Sequence, residues 1–133
     1  MRISLAATRG PAFPLDTLQP AGYITRMAWG VEGTDEFHAW FSALSSAERI
    51  SVAAKIDLLE EEGPSLGRPH VDTLKGSKLT NLKELIIQHA GKPYRVIFAF
   101  DPRRTAILLL GGRKADSKWY KTAIPEAEKI YER

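Results

Sequence analysis

The chain has 133 residues, 44% hydrophobic and 26% charged, a length and balance that fit one soluble globular domain. It has no cysteine, which excludes disulfide scaffolds, Cys-ligated zinc, iron–sulfur clusters and thiol catalysis. No apolar run nears the ~18 residues of a membrane span, and His38, His70 and His89 are too scattered for a His-based metal motif. Charge is unevenly spread: residues 1–66 hold 5 Lys and Arg against 9 Asp and Glu, residues 67–133 hold 14 against 7. That asymmetry points to a C-terminal half facing a polyanion, with a basic solvated surface as the plainer alternative.

Residues 1–22 carry three prolines and no sustained period. The apolar stretch Ile3–Ala7 is shorter than a signal-peptide core and is followed by Arg9, so the segment reads as a flexible N-terminal extension, with Met27 as an alternative start. The domain proper is expected over 23–133. Tyr23–Val31 is β-rich and reads as a first strand. Thr34 is an N-cap with Asp35 and Glu36 behind it, and Phe37, Trp40, Phe41 and Leu44 recur at helical spacing. Ser45 and Glu48 form a capping box opening a second helix that ends at Gly63-Pro64. The two helices make an αα-hairpin. Residues 63–80 read as loop. Three strands follow, Leu82–Gln88, Tyr94–Phe100 and Thr105–Leu110, and the short turns between them imply antiparallel pairing. After Gly111-Gly112 a polar stretch leads to a last helix, about 117–132, with Asp116 as its N-cap and Pro125 expected to kink it. The order β-α-α-β-β-β-α predicts an α+β fold, a small mostly antiparallel sheet with helices on one face.

Arg95 is the most informative position. Alternation along Tyr94–Phe100 puts Tyr94, Val96, Phe98 and Phe100 on one face and Arg95, Ile97 and Ala99 on the other. A guanidinium held on a strand can grip a phosphate with two hydrogen bonds; an ion pair with Glu84 explains it equally well. Lys75, Lys78 and Lys83 lie before or at the start of the sheet's three-strand run, and Arg113, Lys114, Lys118 and Lys121 follow its last strand. Together they suit RNA phosphates, although each alone is an ordinary solvated cation. The Tyr120 hydroxyl can move a proton or its ring can stack a base, and the helical stripe also allows it as plain core. The spacing around Gly111-Gly112-Arg113-Lys114 matches no phosphate-binding loop of nucleotide triphosphatases.

From Phe37 to Ile130 the chain resembles the RelE/HigB-type toxins of type II toxin–antitoxin systems. The likeness rests on the helical Phe-x-x-Trp-Phe, Leu74-Lys75-Gly76, Leu82-Lys83-Glu84-Leu85, Gly91-Lys92-Pro93-Tyr94-Arg95-Val96, Leu108-Leu109-Leu110 and the Gly-Gly-x-Lys…Trp-Tyr stretch. Arg113 stands where a subgroup commonly has Asp. The resemblance implies a cytoplasmic toxin that cuts mRNA on the ribosome without metal or cofactor. The 2′-OH would attack the adjacent phosphate, with Arg95, Lys114 and Tyr120 as catalytic positions and the remaining basic residues holding RNA. It also implies a helix-turn-helix antitoxin as partner, through which the complex binds operator DNA, and no membrane association. Two features depart from the pattern: Ile86 replaces the arginine of a common Glu-Leu-Arg, and no histidine adjoins Tyr120. Gyrase-inhibiting ParE-type toxins, and a nucleic-acid-binding protein without catalysis, are the alternatives.

Overall fold

A computed structural model describes residues 28–133 and the two-residue strand Ile3–Ser4. The expected extension over 1–22 otherwise lies outside the described residues, as does the first half of the expected first strand. The elements are β1 (Ile3–Ser4), β2 (Gly30–Gly33), α1 (Asp35–Ala43), α2 (Ser46–Glu62), β3 (Val71–Thr73), β4 (Lys83–His89), β5 (Lys92–Asp101), β6 (Thr105–Arg113) and α3 (Trp119–Tyr131). They build one α+β sheet in the order β1-β2-β6-β5-β4-β3, antiparallel except where β2 runs parallel to β6. Among the described residues no helix is long and apolar enough to cross a membrane.

The local signals act as their chemistry requires. The Thr34 hydroxyl accepts from the Phe37 amide and donates to the Leu109 carbonyl, tying the start of α1 to the sheet. Ser45 and Glu48 close the capping box of α2. Ala90 and Gly91, both at positive φ, make the two-residue turn between β4 and β5, whose twist suits paired strands. Val71–Thr73, expected as loop, pairs with Lys83–Leu85 as the edge strand β3. Proline and glycine on its flanks conceal a run too short to show a period.

The helices do not share one face, contrary to the sequence expectation. Phe37, Val52, Ile56 and Leu59 of α1 and α2 bury Leu85, Ile87, Tyr94, Val96, Phe98 and Leu108 on one side. Ala123, Ile124, Ala127 and Ile130 of α3 bury Ile97, Ala99, Ile107 and Leu109 on the other. The cause is that β5 and β6 are apolar on both faces, as central strands are, and a bare second face would leave those side chains in water. Each large core side chain contributes accordingly: truncating the fully buried Phe37 to alanine costs about 3–5 kcal/mol.

β6 also runs farther than the expected end at Leu110. It continues through Gly111 and Gly112 to Arg113. A β-bulge interrupts its pairing with β5, Ile97 facing Leu110 and Phe98 facing Leu108, so Leu109 is the extra residue. Beyond the bulge each glycine lies beneath a tryptophan. A Cβ on Gly111 would come within 2.3 Å of the Trp40 ring on the α1 side, and one on Gly112 within 2.6 Å of Trp119 Nε1 on the α3 side. The last helix begins at Trp119, two residues later than expected. Lys118 is its cap residue, without a side-chain cap bond, while the Asp116 carboxylate accepts from the Lys118 amide. Pro125 is accommodated within α3, which continues to Tyr131.

Candidate functional site

The α3 face of the sheet carries Asp72 from β3, Glu84 and Ile86 from β4, and Arg95 from β5. Asp72 pairs with Glu84 and Ile86 with Arg95 in register. Glu84 is the hub. Its Oε1 accepts the Tyr120 hydroxyl at 2.6 Å and lies 3.1 Å from Arg95 Nε. The cross-strand ion pair weighed from the sequence therefore forms, and both side chains are largely buried, 13% exposed for Arg95 and 12% for Glu84. The contact is close but poorly aligned: Nε is buried and makes no hydrogen bond, while Nη1 donates to the Tyr94 carbonyl at 3.0 Å. A buried donor without an aligned acceptor is uncommon in folded proteins, and here it belongs to a guanidinium whose counterion, Glu84, lines a slot.

Burial, followed by the hydrogen bond to Glu84 and its charge, pushes the Tyr120 hydroxyl up to about 12, against a smaller opposing effect of Arg95. Tyr120 is thus a proton donor at neutral pH. Lys114 Nζ lies 5.6 Å from its ring centroid, and the Lys114 amide donates to the Pro93 carbonyl, which anchors this residue beside the β5–β6 ladder. Two slots flank the tyrosine. One, about 240 Å³, is lined by Asp72, Thr73, Lys75, Glu84 and Tyr120 among others. The other, about 320 Å³, includes Lys75, Tyr120 and Lys121. The loop bearing Lys75 is fastened to α3 by Glu128, which accepts from Ser77 Oγ at 2.7 Å and the Lys78 amide at 2.8 Å; these bonds hold the Glu128 carboxyl below its ordinary range.

The sequence candidates therefore separate. Arg95, Tyr120, Lys114, Lys75 and Lys121 converge. Lys78 lies farther along α3, its Nζ 3.8 Å from Glu132, and Lys118 is exposed at the start of that helix. Lys83 and Arg113 do not join the site. Lys83 shares the β4 face of Leu85 and Ile87, which pack under α1 and α2, and Arg113 pairs with Tyr94 on that same side. There Tyr94 donates to Glu48, and His89 Nδ1 lies 2.7 Å from Ser51 Oγ. Glu84, which the sequence offers only as a counterion to Arg95, is a member of the site. Its strand parity relative to Arg95 was the available signal. Among the described residues no three His, Asp or Glu are placed to share a metal ion. A larger cavity, about 410 Å³, lies near the end of α3 between Thr34, Phe100 and Ile130, but the basic cluster around Tyr120 is the chemically richer place.

The model of the phage-derived Gp49-like family (DUF891) matches residues 39–132, a span that contains every residue of this cluster. A protein of Mycobacterium tuberculosis (strain ATCC 25618 / H37Rv) named "Putative toxin HigB3" is 53% identical over 91 residues, covering 67% of this chain and 78% of that protein. A second from the same organism, "Putative toxin HigB2", is 42% identical over 100 residues, covering 73% of this chain and 50% of that protein; the chain thus spans half of its length. No solved structure matches the chain.

Proposed function

Because the chain belongs to the phage-derived Gp49-like (DUF891) family, we propose that it is the toxin of a type II toxin–antitoxin pair, acting in the cytoplasm as a metal-independent endoribonuclease on ribosome-bound mRNA. The names of its two relatives support the toxin role. The cluster of Arg95, Glu84 and Tyr120, with Lys75, Lys114 and Lys121 around it, supports the chemistry. In cleavage by 2′-OH attack the phosphate gains negative charge at the transition state. A guanidinium fixed on a strand meets that charge without reorganising, and the lysines neutralise the flanking phosphates. Lys78 and Lys118 extend the basic track along α3. The partner of this toxin is a helix-turn-helix antitoxin that neutralises it and carries the pair to operator DNA.

Arg95 carries the test. Arg95→Ala is expected to lower mRNA cleavage by ~10²–10³ and to relieve growth arrest, with the folded state retained in a thermal melt. A folded Arg95→Ala protein that remains fully toxic removes the ribonuclease reading. One observation favours the gyrase-directed alternative: Ile86, directly across from Arg95, stands where the resembling ribonucleases often place a second arginine. Arrest with intact mRNA and inhibited DNA supercoiling is the outcome that selects it.

A further inference from the structure

We propose that Glu84 is the general base of this cleavage and that Tyr120, through the hydrogen bond the two share, is its general acid. The inference rests on the ribonuclease reading and supplies the base which that reading lacks. It follows first from elimination. Tyr120 is held protonated. His89 lies on the other face against Ser51, His70 contacts Lys55 from α2, and His38 contacts Ser42 on α1. The second carboxylate of the slot, Asp72, is occupied on both oxygens, Oδ2 by Arg68 and Oδ1 by the Thr73 amide. Glu84 differs. Tyr120 and Arg95 both meet its Oε1, so Oε2 is the oxygen left to take a proton from the slot that Glu84 lines.

The groups facing Glu84 suit that role. Arg95 from β5 and Tyr120 from α3 contact it, Asp72 of β3 pairs with it in register, and Lys75 lines the same slot. When a scissile phosphate takes the Arg95 guanidinium, Arg95 is shared between Glu84 Oε1 and the incoming anion, and Oε2 stays available to the substrate. The 2′-OH then gives its proton to Oε2 as the bond from 2′-oxygen to phosphorus forms. The bond from phosphorus to the 5′-oxygen breaks, and that oxygen takes the Tyr120 proton. The Glu84 carboxyl then turns its protonated Oε2 to the phenolate in place of Oε1 and returns the proton, which restores both groups. The products are a 2′,3′-cyclic phosphate and a 5′-hydroxyl.

The experiment uses the full chain on programmed ribosomes, with mRNA of two kinds. One has a normal cut site, and the other has a bridging 5′-sulfur there, a leaving group that needs no acid. On normal mRNA, Glu84→Gln and Tyr120→Phe are each expected to lose ~10²–10⁴ in single-turnover rate, with little change in ribosome binding. On the sulfur substrate Tyr120→Phe recovers and Glu84→Gln does not. Glu84→Asp, which keeps the charge opposite Arg95 but withdraws the carboxylate, carries the test if the glutamine variant melts early; it too stays slow on both substrates. Rescue of the Glu84 variants by sulfur means that Glu84 acts only by positioning Tyr120, and unimpaired cleavage means that it takes no part; either overturns the proposal. If the wild-type chain cuts neither mRNA, the ribonuclease reading falls, and the proposal with it.

Discussion

Gly112→Ala tests whether the Gly-Gly pair is a device for placing the site. Gly112 faces Arg95 in register, and its missing side chain leaves room for the Trp119 ring. An added Cβ would lie 2.6 Å from Nε1, 2.8 Å from Cζ2 and 2.9 Å from Cε2. Ordinary contact needs about 3.5 Å, so the indole has to retreat by about 1 Å. β6 is hydrogen-bonded into the sheet and cannot yield as easily. Trp119 opens α3 and is followed at once by Tyr120, so a shift of the indole is passed to the phenol. Overpacking of this kind costs about 1–3 kcal/mol, roughly a 4–12 °C fall in Tm at about 4 °C per kcal/mol for a domain of this size. The functional loss is expected to exceed the stability loss, because a misplacement of ~1 Å can cost ~10² in rate. Thermal melts and mRNA cleavage at a temperature where both proteins are folded give the two numbers. A cycle with Trp119→Ala isolates the cause: in that background Gly112→Ala should be nearly neutral for Tm. An undiminished penalty without the indole would refute the steric argument.

Gly111→Ala should also destabilise the fold, since its Cβ would meet Trp40 at 2.3 Å, but on the α1 face; its Tm is expected to fall while cleavage per folded molecule stays near that of the wild type, measured at a permissive temperature. Glu48 gives a pH prediction. The hydrogen bond from Tyr94, then those at Ser45, hold its carboxyl down at about 2. A depressed folded-state pKa contributes stability above the ordinary glutamate range and loses it as pH falls toward about 2. Melts between pH 5 and pH 2 should therefore show a smaller loss of Tm for Glu48→Gln than for the wild-type chain, and equal slopes would show that this bond contributes nothing in solution.

The local elements were legible because each rests on short-range chemistry. Thr34 and Ser45 announce helix starts through their own hydroxyls, and Ala90-Gly91 announces a hairpin through its length. Where the sequence misled, a long-range pairing decided the outcome. β3 exists because Lys83–Leu85 offers an open edge to Val71–Thr73, which no property of three residues reveals. The second helical layer was partly readable: Ile97, Ala99, Ile107 and Leu109 are too apolar to face water, and among the described residues the stripe of α3 covers them.

The site divides along the same line. Arg95 and Glu84 differ from Lys83 by strand parity alone, so the placement of Lys83 among Leu85 and Ile87 was contained in the alternation of β4. Arg113 was not readable in that way. Without the bulge, Arg113 would share the face of Ile107 and Leu109, the face of Tyr120. The extra residue at Leu109 reverses the parity of everything after it, sends Arg113 to the side of Tyr94 and Glu48, and turns Gly112 toward Arg95 and Trp119. A bulge re-aims the strand beyond it in this way, and its position depends on how β5 and β6 pair, not on a motif within either. The same reversal places one glycine under each tryptophan, so the seating of Trp40 in one layer and of Trp119, next to Tyr120, in the other depends on a single irregularity in the central strand.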